Sequence, residues 1–278
     1  MKRSSPPYPA LSRFLAPPTC SDEEAIRSSV EGRVVLISGA SYGVGRALAS
    51  QLGRSGARVL LLARTSERLE ELKNEIGDSA EIFPVDLRDP EAVEELGKEL
   101  ADRTPDIVVH NAGKSIKRSL HDSLERAHDF ERTMGVNYLG PVRLQLALLP
   151  AMMRKGGGQI INISSVSVRL PPAVHWAAYH CSKSAFDFWI SAALPELRPY
   201  GICCTSVYLG LVHTRMSAPT KSYAKMPGQT AEQAASSICR AIVYRPRAVQ
   251  PWWLPPSRLL TLPLERVSEW AQGLVVRR

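Results

Sequence analysis

The strongest constraint on this chain is a glycine-rich turn set between two segments of different periodicity. Val34 to Ser38 is a short, β-branched apolar run, and Val44 to Arg54 is amphipathic with a helical period. Between them lies Ser38-Gly39-Ala40-Ser41-Tyr42-Gly43-Val44-Gly45. Glycine tolerates a tight turn and lets a phosphate approach the backbone closely. A strand entering a helix through such a turn leaves the first helical N–H groups free, which suits a pyrophosphate. The spacing is G-x-x-x-G-x-G, not the G-x-G-x-x-G of the widespread dinucleotide fingerprint. Gly39, Ser41, Tyr42, Gly43, Val44 and Gly45 are thus candidate cofactor-binding residues.

The alternation continues downstream. Further strands are predicted at Val59 to Ala63, Ile82 to Val85, Ile107 to His110, Gln159 to Ile163 and Ile202 to Tyr208. Helices are predicted at Ser66 to Ile76, Pro90 to Ala101, one long element around Glu125 to Met153, and Ala177 to Leu197. Pro195 is expected to kink or end the last of these. Several strand runs are apolar at consecutive positions, as strands covered on both faces should be. The order predicts an α/β fold, a doubly wound parallel sheet with helices on both faces and a ligand site at the carboxyl ends of its strands.

Composition narrows the function. Of 278 residues 44% are hydrophobic and 22% charged, enough for a core and too little charge bias for disorder. The formal charge of +8 is scattered along the chain, which speaks against a nucleic-acid binder and for an anionic small-molecule ligand. No run reaches the roughly 18 apolar residues of a membrane span. Cys20, Cys181, Cys203, Cys204 and Cys239 form no C-x-x-C pair and no zinc spacing, so no metal is expected, and free thiols suit a reducing cytoplasm. The proline-rich N-terminus lacks a secretory apolar region. Residues 1–29 are expected to be a flexible leader, 30–250 the catalytic domain and 251–278 an apolar and basic extension.

The second strand ends in Arg64-Thr65-Ser66, where a dinucleotide-binding unit contacts the adenosine ribose. A guanidinium with two hydroxyls suits a 2′-phosphate, favouring NADP(H) over NAD(H). Asp86, followed by Leu87, either accepts from the adenine amine or caps the following turn.

At this point the chain resembles the short-chain dehydrogenases/reductases, a Rossmann-like family. The resemblance rests on Gly39, Gly43 and Gly45, on Asn111-Ala112-Gly113 after the fourth strand, on Asn137, on Ser164-Ser165 after the fifth, and on Tyr179 with Lys183 in Y-x-x-x-K. It implies catalytic roles for Asn137, Ser165, Tyr179 and Lys183, with Asn137 steadying a water that relays protons to Lys183. Tyr179 and Lys183, four apart, share a helix face and also contact the cofactor. An ammonium near the phenol is expected to lower its pKa and make it an acid or base near neutral pH. Ser165 is expected to hold the carbonyl oxygen that gains charge as hydride arrives. Ser164 and Ser167 stay open as alternatives, because the interval from Ser165 to Tyr179 is one longer than the family commonly shows. The resemblance implies that Val212 and Thr214 hold the nicotinamide carboxamide, with Gly210 a further cofactor-binding candidate, although the family's Pro-Gly is absent from Leu209-Gly210-Leu211.

Within the family, His128-Asp129-Phe130-Glu131-Arg132-Thr133-Met134 and Thr214-Arg215-Met216-Ser217-Ala218-Pro219-Thr220-Lys221 resemble the long-chain fatty acyl-CoA reductases in particular. That resemblance implies reduction of an acyl-CoA thioester to an aldehyde. The alternatives are a ketone or aldehyde reductase or alcohol dehydrogenase on another lipid or metabolite, and a non-catalytic NADP(H)-binding regulator. Cys181, about 200° around the helix from Tyr179, is not expected to be a nucleophile. Arg215 and Lys221 are candidates for coenzyme A phosphates. Trp252, Trp253, Leu259, Leu260, Leu262, Leu264 and Trp270 with interleaved arginines suit a lid, a subunit interface or a membrane surface. A homodimer or homotetramer packed through the long and catalytic helices is the family expectation.

Overall fold

The computed structural model describes residues 7–100, 103–171 and 173–261. Seven strands form one parallel sheet in the order β3-β2-β1-β4-β5-β6-β7. They are β1 Val34–Ser38, β2 Arg58–Ala63, β3 Ala80–Pro84, β4 Ile107–His110, β5 Gly158–Ser165, β6 Ile202–Leu209 and β7 Ala248–Val249. The order reverses between β1 and β4, which opens a crevice at their carboxyl ends. This is the doubly wound α/β fold expected, with a short seventh strand added.

Both faces of the sheet are buried, which explains the unbroken apolar runs. In β1, Val35 and Ile37 pack into one core and Leu36 into the other. The first core is covered by α3 Gly43–Arg54, α4 Ser66–Ile76 and α9 Ala231–Tyr244, and the second by α5 Pro90–Glu99, α7 Gly140–Lys155 and α8 Ala177–Leu197. The helix α9 opens on a capping box, with Gln233 N donating to Thr230 Oγ1 at 3.2 Å and Thr230 N to Gln233 Oε1 at 2.9 Å. Pro195 lies in the last turn of α8, which ends two residues on at Leu197.

Two sequence expectations are corrected. The single long helix around Glu125 to Met153 is two, α6 Ala127–Met134 and α7, joined by a π-helical turn at Gly135–Leu139. A side chain at Gly140 would meet the Leu87 carbonyl oxygen at 2.3 Å, so glycine is needed where this turn crosses the chain leaving β3.

The described part of the leader is folded. Its helices are α1 Pro9–Leu15 and α2 Glu23–Val30, the second capped by Asp22, whose carboxylate accepts from Ala25 N at 3.0 Å. Ile26 and Val30, one turn apart, are buried in the first core. Cys20 N donates to Ser236 O at 2.9 Å and Gly228 N to Ser12 Oγ at 3.0 Å, so the segment is bound to α9 and to the loop before it. Apolar burial at α-helical spacing outweighs the local proline content. Ile26→Ala is expected to cost about 2–5 kcal/mol, read as a fall in the urea midpoint; an unchanged midpoint would make the segment an appendage.

Beyond Val249, α10 covers Leu254–Thr261, with Pro255 and Pro256 in its first turn, where a missing N–H costs little. The Trp252 and Trp253 indoles donate to Phe14 O and Leu15 O, so this segment packs on α1. Leu262, Leu264 and Trp270 lie outside the described residues. No helix among the described residues is long and apolar enough to cross a membrane.

His110, at the end of β4, is buried, and its Nε2 donates to Gln145 Oε1 at 3.0 Å. Burial, with a smaller contribution from Lys183, lowers its pKa from 6.5 to about 4. The unfolded chain therefore takes up this proton first as pH falls. Stability from the neutral imidazole is fully present above pH 6.5 and is lost down through pH 4, on the order of 3 kcal/mol. Denaturation midpoints across that window should fall less steeply in His110→Gln.

Candidate active site

The glycine turn is stitched to the neighbouring strand by one side chain. Asn111 Nδ2 donates to Ser38 O at 3.0 Å and Gly39 O at 3.2 Å, while the Asn111 and Ala112 amides both donate to Ser38 Oγ at 3.1 Å. Asn111 and Ala112 thus brace the turn, a role that sequence reasoning does not supply. At Gly39, with φ +70°, a Cβ would stand 2.8 Å from Ala112 Cα, and at Gly45 one would stand 2.3 Å from Gly39 O. Tyr42 precedes α3 without a side-chain cap, and the first turn of α3 carries no carboxylate. These free amides and the absence of negative charge fit a pyrophosphate. The exposed Tyr42 ring lies under the guanidinium of Arg215 at 4.8 Å and of Arg68 at 5.7 Å. Ser41 and Val44 lie half-buried within the same turn and first helical residues.

Arg64 is exposed at the end of β2, followed by Thr65 as N-cap of α4 and Ser66 as its first residue. Asp86 is engaged with Arg88, whose backbone N donates to Asp86 Oδ1 at 3.0 Å and whose side chain forks onto both oxygens. This is the turn-capping alternative for Asp86. The Arg88 hydrogen bond, more than nearby Arg64, holds its carboxyl below the usual range. Leu87 is buried in the second core. Lys114, next after Gly113, has its pKa lowered by burial and by the guanidinium groups of Arg132, Arg64 and Arg88. A positive field therefore spans the ends of β2, β3 and β4.

The expected catalytic side chains gather at the ends of β4 and β5. Tyr179 and Lys183 lie in the first two turns of α8. The buried Lys183 Nζ donates to Ile163 O at 2.8 Å, and burial lowers its pKa to about 8. A Cβ at Gly113 would lie 3.3 Å from Asn137 Oδ1 and 3.5 Å from Lys183 Nζ, so Gly113 lets these groups close on the strand end. Asn137 stands in the π-helical turn, an irregularity that recurs where a helix presents a functional side chain. It is clamped on both sides: Oδ1 accepts from Lys114 N at 2.8 Å, and Nδ2 donates to Lys114 O and Ser182 Oγ, each at 2.9 Å. Ser182, unremarked in the sequence, donates in turn to Tyr179 O at 2.9 Å.

Among the three serines, Ser165 is the one whose side chain bears on the Tyr179 phenol, drawing its pKa down against burial. Its Oγ also accepts from Ser167 Oγ at 2.9 Å and Ser167 N at 3.2 Å, which fixes it at the strand end. Ser164 faces the other side of the sheet, as the alternation of strand residues requires, and its buried hydroxyl has no partner among the described residues. The expected lowering of the Tyr179 pKa is not found. Burial dominates and raises it, Ser165 offsets part of this, and Lys183 is not among the causes.

One aromatic ring packs on Tyr179 and a second packs behind it. Trp176 meets Tyr179 edge-on at 5.8 Å and stacks on Tyr223 at 6.2 Å. Cys181 is exposed, consistent with its place off the catalytic face. The turn after β6 is anchored differently from a Pro-Gly turn. Val212 bridges to Gln229, and His213 N donates to Gln229 O at 2.9 Å. Gly210 has open space on its Cβ side, and the Thr214 methyl group would be 3.1 Å from a Cβ at Gly43. Thr214 thereby sits against the glycine turn.

A glycine turn braced for a pyrophosphate, beside half-buried Tyr179 and Ser165 with buried Lys183 and Asn137 at the switch point of a doubly wound sheet, defines a nicotinamide-dependent oxidoreductase. The chain belongs to the short-chain dehydrogenase family, whose model matches residues 33–225. It is 46% identical to a fatty acyl-CoA reductase of Acinetobacter baylyi over 82% of this chain and 78% of that one. It is 38% identical to a fatty acyl-CoA reductase of Mycobacterium tuberculosis over 79% and 76%. A metagenomic short-chain oxidoreductase in complex with NADP superposes with a TM-score of 0.67 at 30% identity, covering 77% of this chain and 92% of that one.

Proposed function

We propose that the protein is an NADPH-dependent reductase of long-chain acyl-CoA thioesters, releasing a fatty aldehyde and free coenzyme A. The observation that carries the chemistry is Tyr179, with Ser165 acting on its phenol, one helical turn before the buried Lys183 and joined through Ser182 to the clamped Asn137. The substrate class rests on the two similar acyl-CoA reductases. The positive field of Arg64, Arg88 and Lys114 supports a cofactor bearing a 2′-phosphate, and Thr65 and Ser66 add hydroxyls beside it. Gly210, Val212 and Thr214 complete the cofactor wall on the far side of the glycine turn.

When bound, the reduced nicotinamide supplies hydride to the carbonyl carbon. Ser165 donates a hydrogen bond to the carbonyl oxygen as negative charge grows there. Tyr179 gives that oxygen its proton, yielding a hemithioacetal. The raised pKa of Tyr179 keeps the phenol protonated at neutral pH, the form a reductase needs. The hemithioacetal then collapses, breaking the carbon–sulfur bond as the hydroxyl proton passes to the thiolate. Lys183, near its midpoint around pH 8, and Asn137 hold the route by which Tyr179 is recharged from solvent. Leu146 of α7 and Phe188 of α8 stand exposed and support packing of a second copy across those helices.

Purified protein with NADPH and palmitoyl-CoA should lose nicotinamide absorbance and release free thiol in equal amounts. Turnover of ketones or aldehydes with no thiol release would move the assignment to the broader carbonyl reductases. Arg64→Gln should raise the KM for NADPH about tenfold or more and leave that for NADH nearly unchanged. Equal changes for both cofactors would remove Arg64 from the 2′-phosphate site.

A further inference from the structure

We infer that Arg118, Arg126 and Arg132, organised by the buried carboxylate of Asp129, form the anion subsite for the phosphate-bearing end of a coenzyme A thioester. Asp129 has a side chain only 4% exposed, and the three guanidinium groups around it are a third to a half exposed. Arg118 Nε donates to Asp129 Oδ2 at 2.9 Å and Arg126 Nε to the same oxygen at 3.1 Å, while Arg132 stands 3.9 Å from Oδ1. His128 Nε2 lies 3.5 Å from Oδ1.

One buried carboxylate is compensated by about one countercharge. Three guanidinium groups against one carboxylate leave two positive charges in excess. Asp122, bonded to Ser119, is the other carboxylate in the field of Arg118, and it is itself exposed. Arg118 and Arg126 both use Nε, so the terminal nitrogens of each fork have no hydrogen-bond acceptor among the described residues. A held guanidinium with free terminal nitrogens has lost its rotamer freedom in advance and offers bidentate geometry to a phosphate. Lys114, whose pKa burial lowers first, is lowered further by Arg132 more than Asp129 raises it.

The cluster also borders the reaction centre. Arg118 N donates to His175 O at 2.7 Å, next to Trp176, and Thr133 Oγ1 donates to Ala178 O at 3.2 Å, next to Tyr179. From Asp129 to Asn137 the chain climbs eight helical residues, about 12 Å, within the span of an extended pantetheine arm. The nicotinamide chemistry leaves the segment His128 to Met134 unused. In it Asp129 holds the arginines in place and Arg132 meets the carrier, not the acyl group.

The inference rests on the acyl-CoA reading, so its test separates the two. Arg126→Gln and Arg132→Gln each leave Asp129 two arginine partners, and Arg132 makes the longest contact, so its variant is the safer fold control. Both should raise the KM for palmitoyl-CoA about tenfold, leave kcat within twofold and leave the KM for the same acyl group on pantetheine unchanged. Equal KM changes on both thioesters, or none on palmitoyl-CoA, would overturn the subsite. Free coenzyme A is titrated by calorimetry into NADP⁺-saturated protein, which blocks the cofactor's own phosphate site. Weaker binding in both variants supports the subsite even if no thioester is reduced, and unchanged binding or none in the unmodified protein removes it.

Discussion

Tyr179→Phe should abolish turnover and leave cofactor binding intact. The phenol is the proton donor in the proposed reaction, and loss of a positioned acid costs about 100- to 10,000-fold in kcat. The substitution keeps the ring against Trp176 and deletes only the hydroxyl on which Ser165 acts. NADPH affinity, read by nicotinamide fluorescence, should change little. Residual turnover within a few-fold of the unmodified protein would remove Tyr179 from the chemistry.

Replacing the adjacent serines should give opposite outcomes. Ser165→Ala removes the donor to the growing oxyanion, with an expected loss of about 100- to 1,000-fold in kcat. Ser164→Ala deletes a buried hydroxyl with no partner among the described residues, so kcat should hold and stability should stay level or rise by about 1 kcal/mol. A large catalytic loss in Ser164→Ala with activity retained in Ser165→Ala would reverse the assignment. Thermal midpoints on both variants separate a catalytic effect from a folding one.

The strands at Val34–Ser38 and Ile107–His110 and the helices at Ser66–Ile76 and Ala177–Leu197 match the sequence expectation residue for residue. The two strands are β-branched runs and Ser66–Ile76 stops at Gly77, whereas Ala177–Leu197 starts at Trp176 without a side-chain cap and ends just past Pro195. The helix α9 is missing from the sequence expectation although its buried residues, from Ala234 to Ile242, recur at helical spacing as clearly as those of α3. Its capping box, Thr230 with Gln233, is the mark that could have found it. The leader misleads differently. Its prolines draw attention, although Asp22 with Ile26 and Val30 already spells a cap and one buried stripe.

The sequence by itself determined the alternation of strands and helices, the glycine turn and the identity of the residues that gather at the strand ends. Those properties depend on neighbours within a turn or two, so periodicity and residue chemistry are sufficient to read them. Only the tertiary structure decided that Ser165 and not Ser164 acts on Tyr179, that Asn111 braces the glycine turn 72 residues earlier, and that Asp129 collects arginines from both sides. It also decided the sign of the Tyr179 shift, because burial depends on what packs over the phenol and outweighs the charge four residues along the helix. Desolvation and hydrogen bonding between distant segments are set by the packed chain, and local pattern does not contain them.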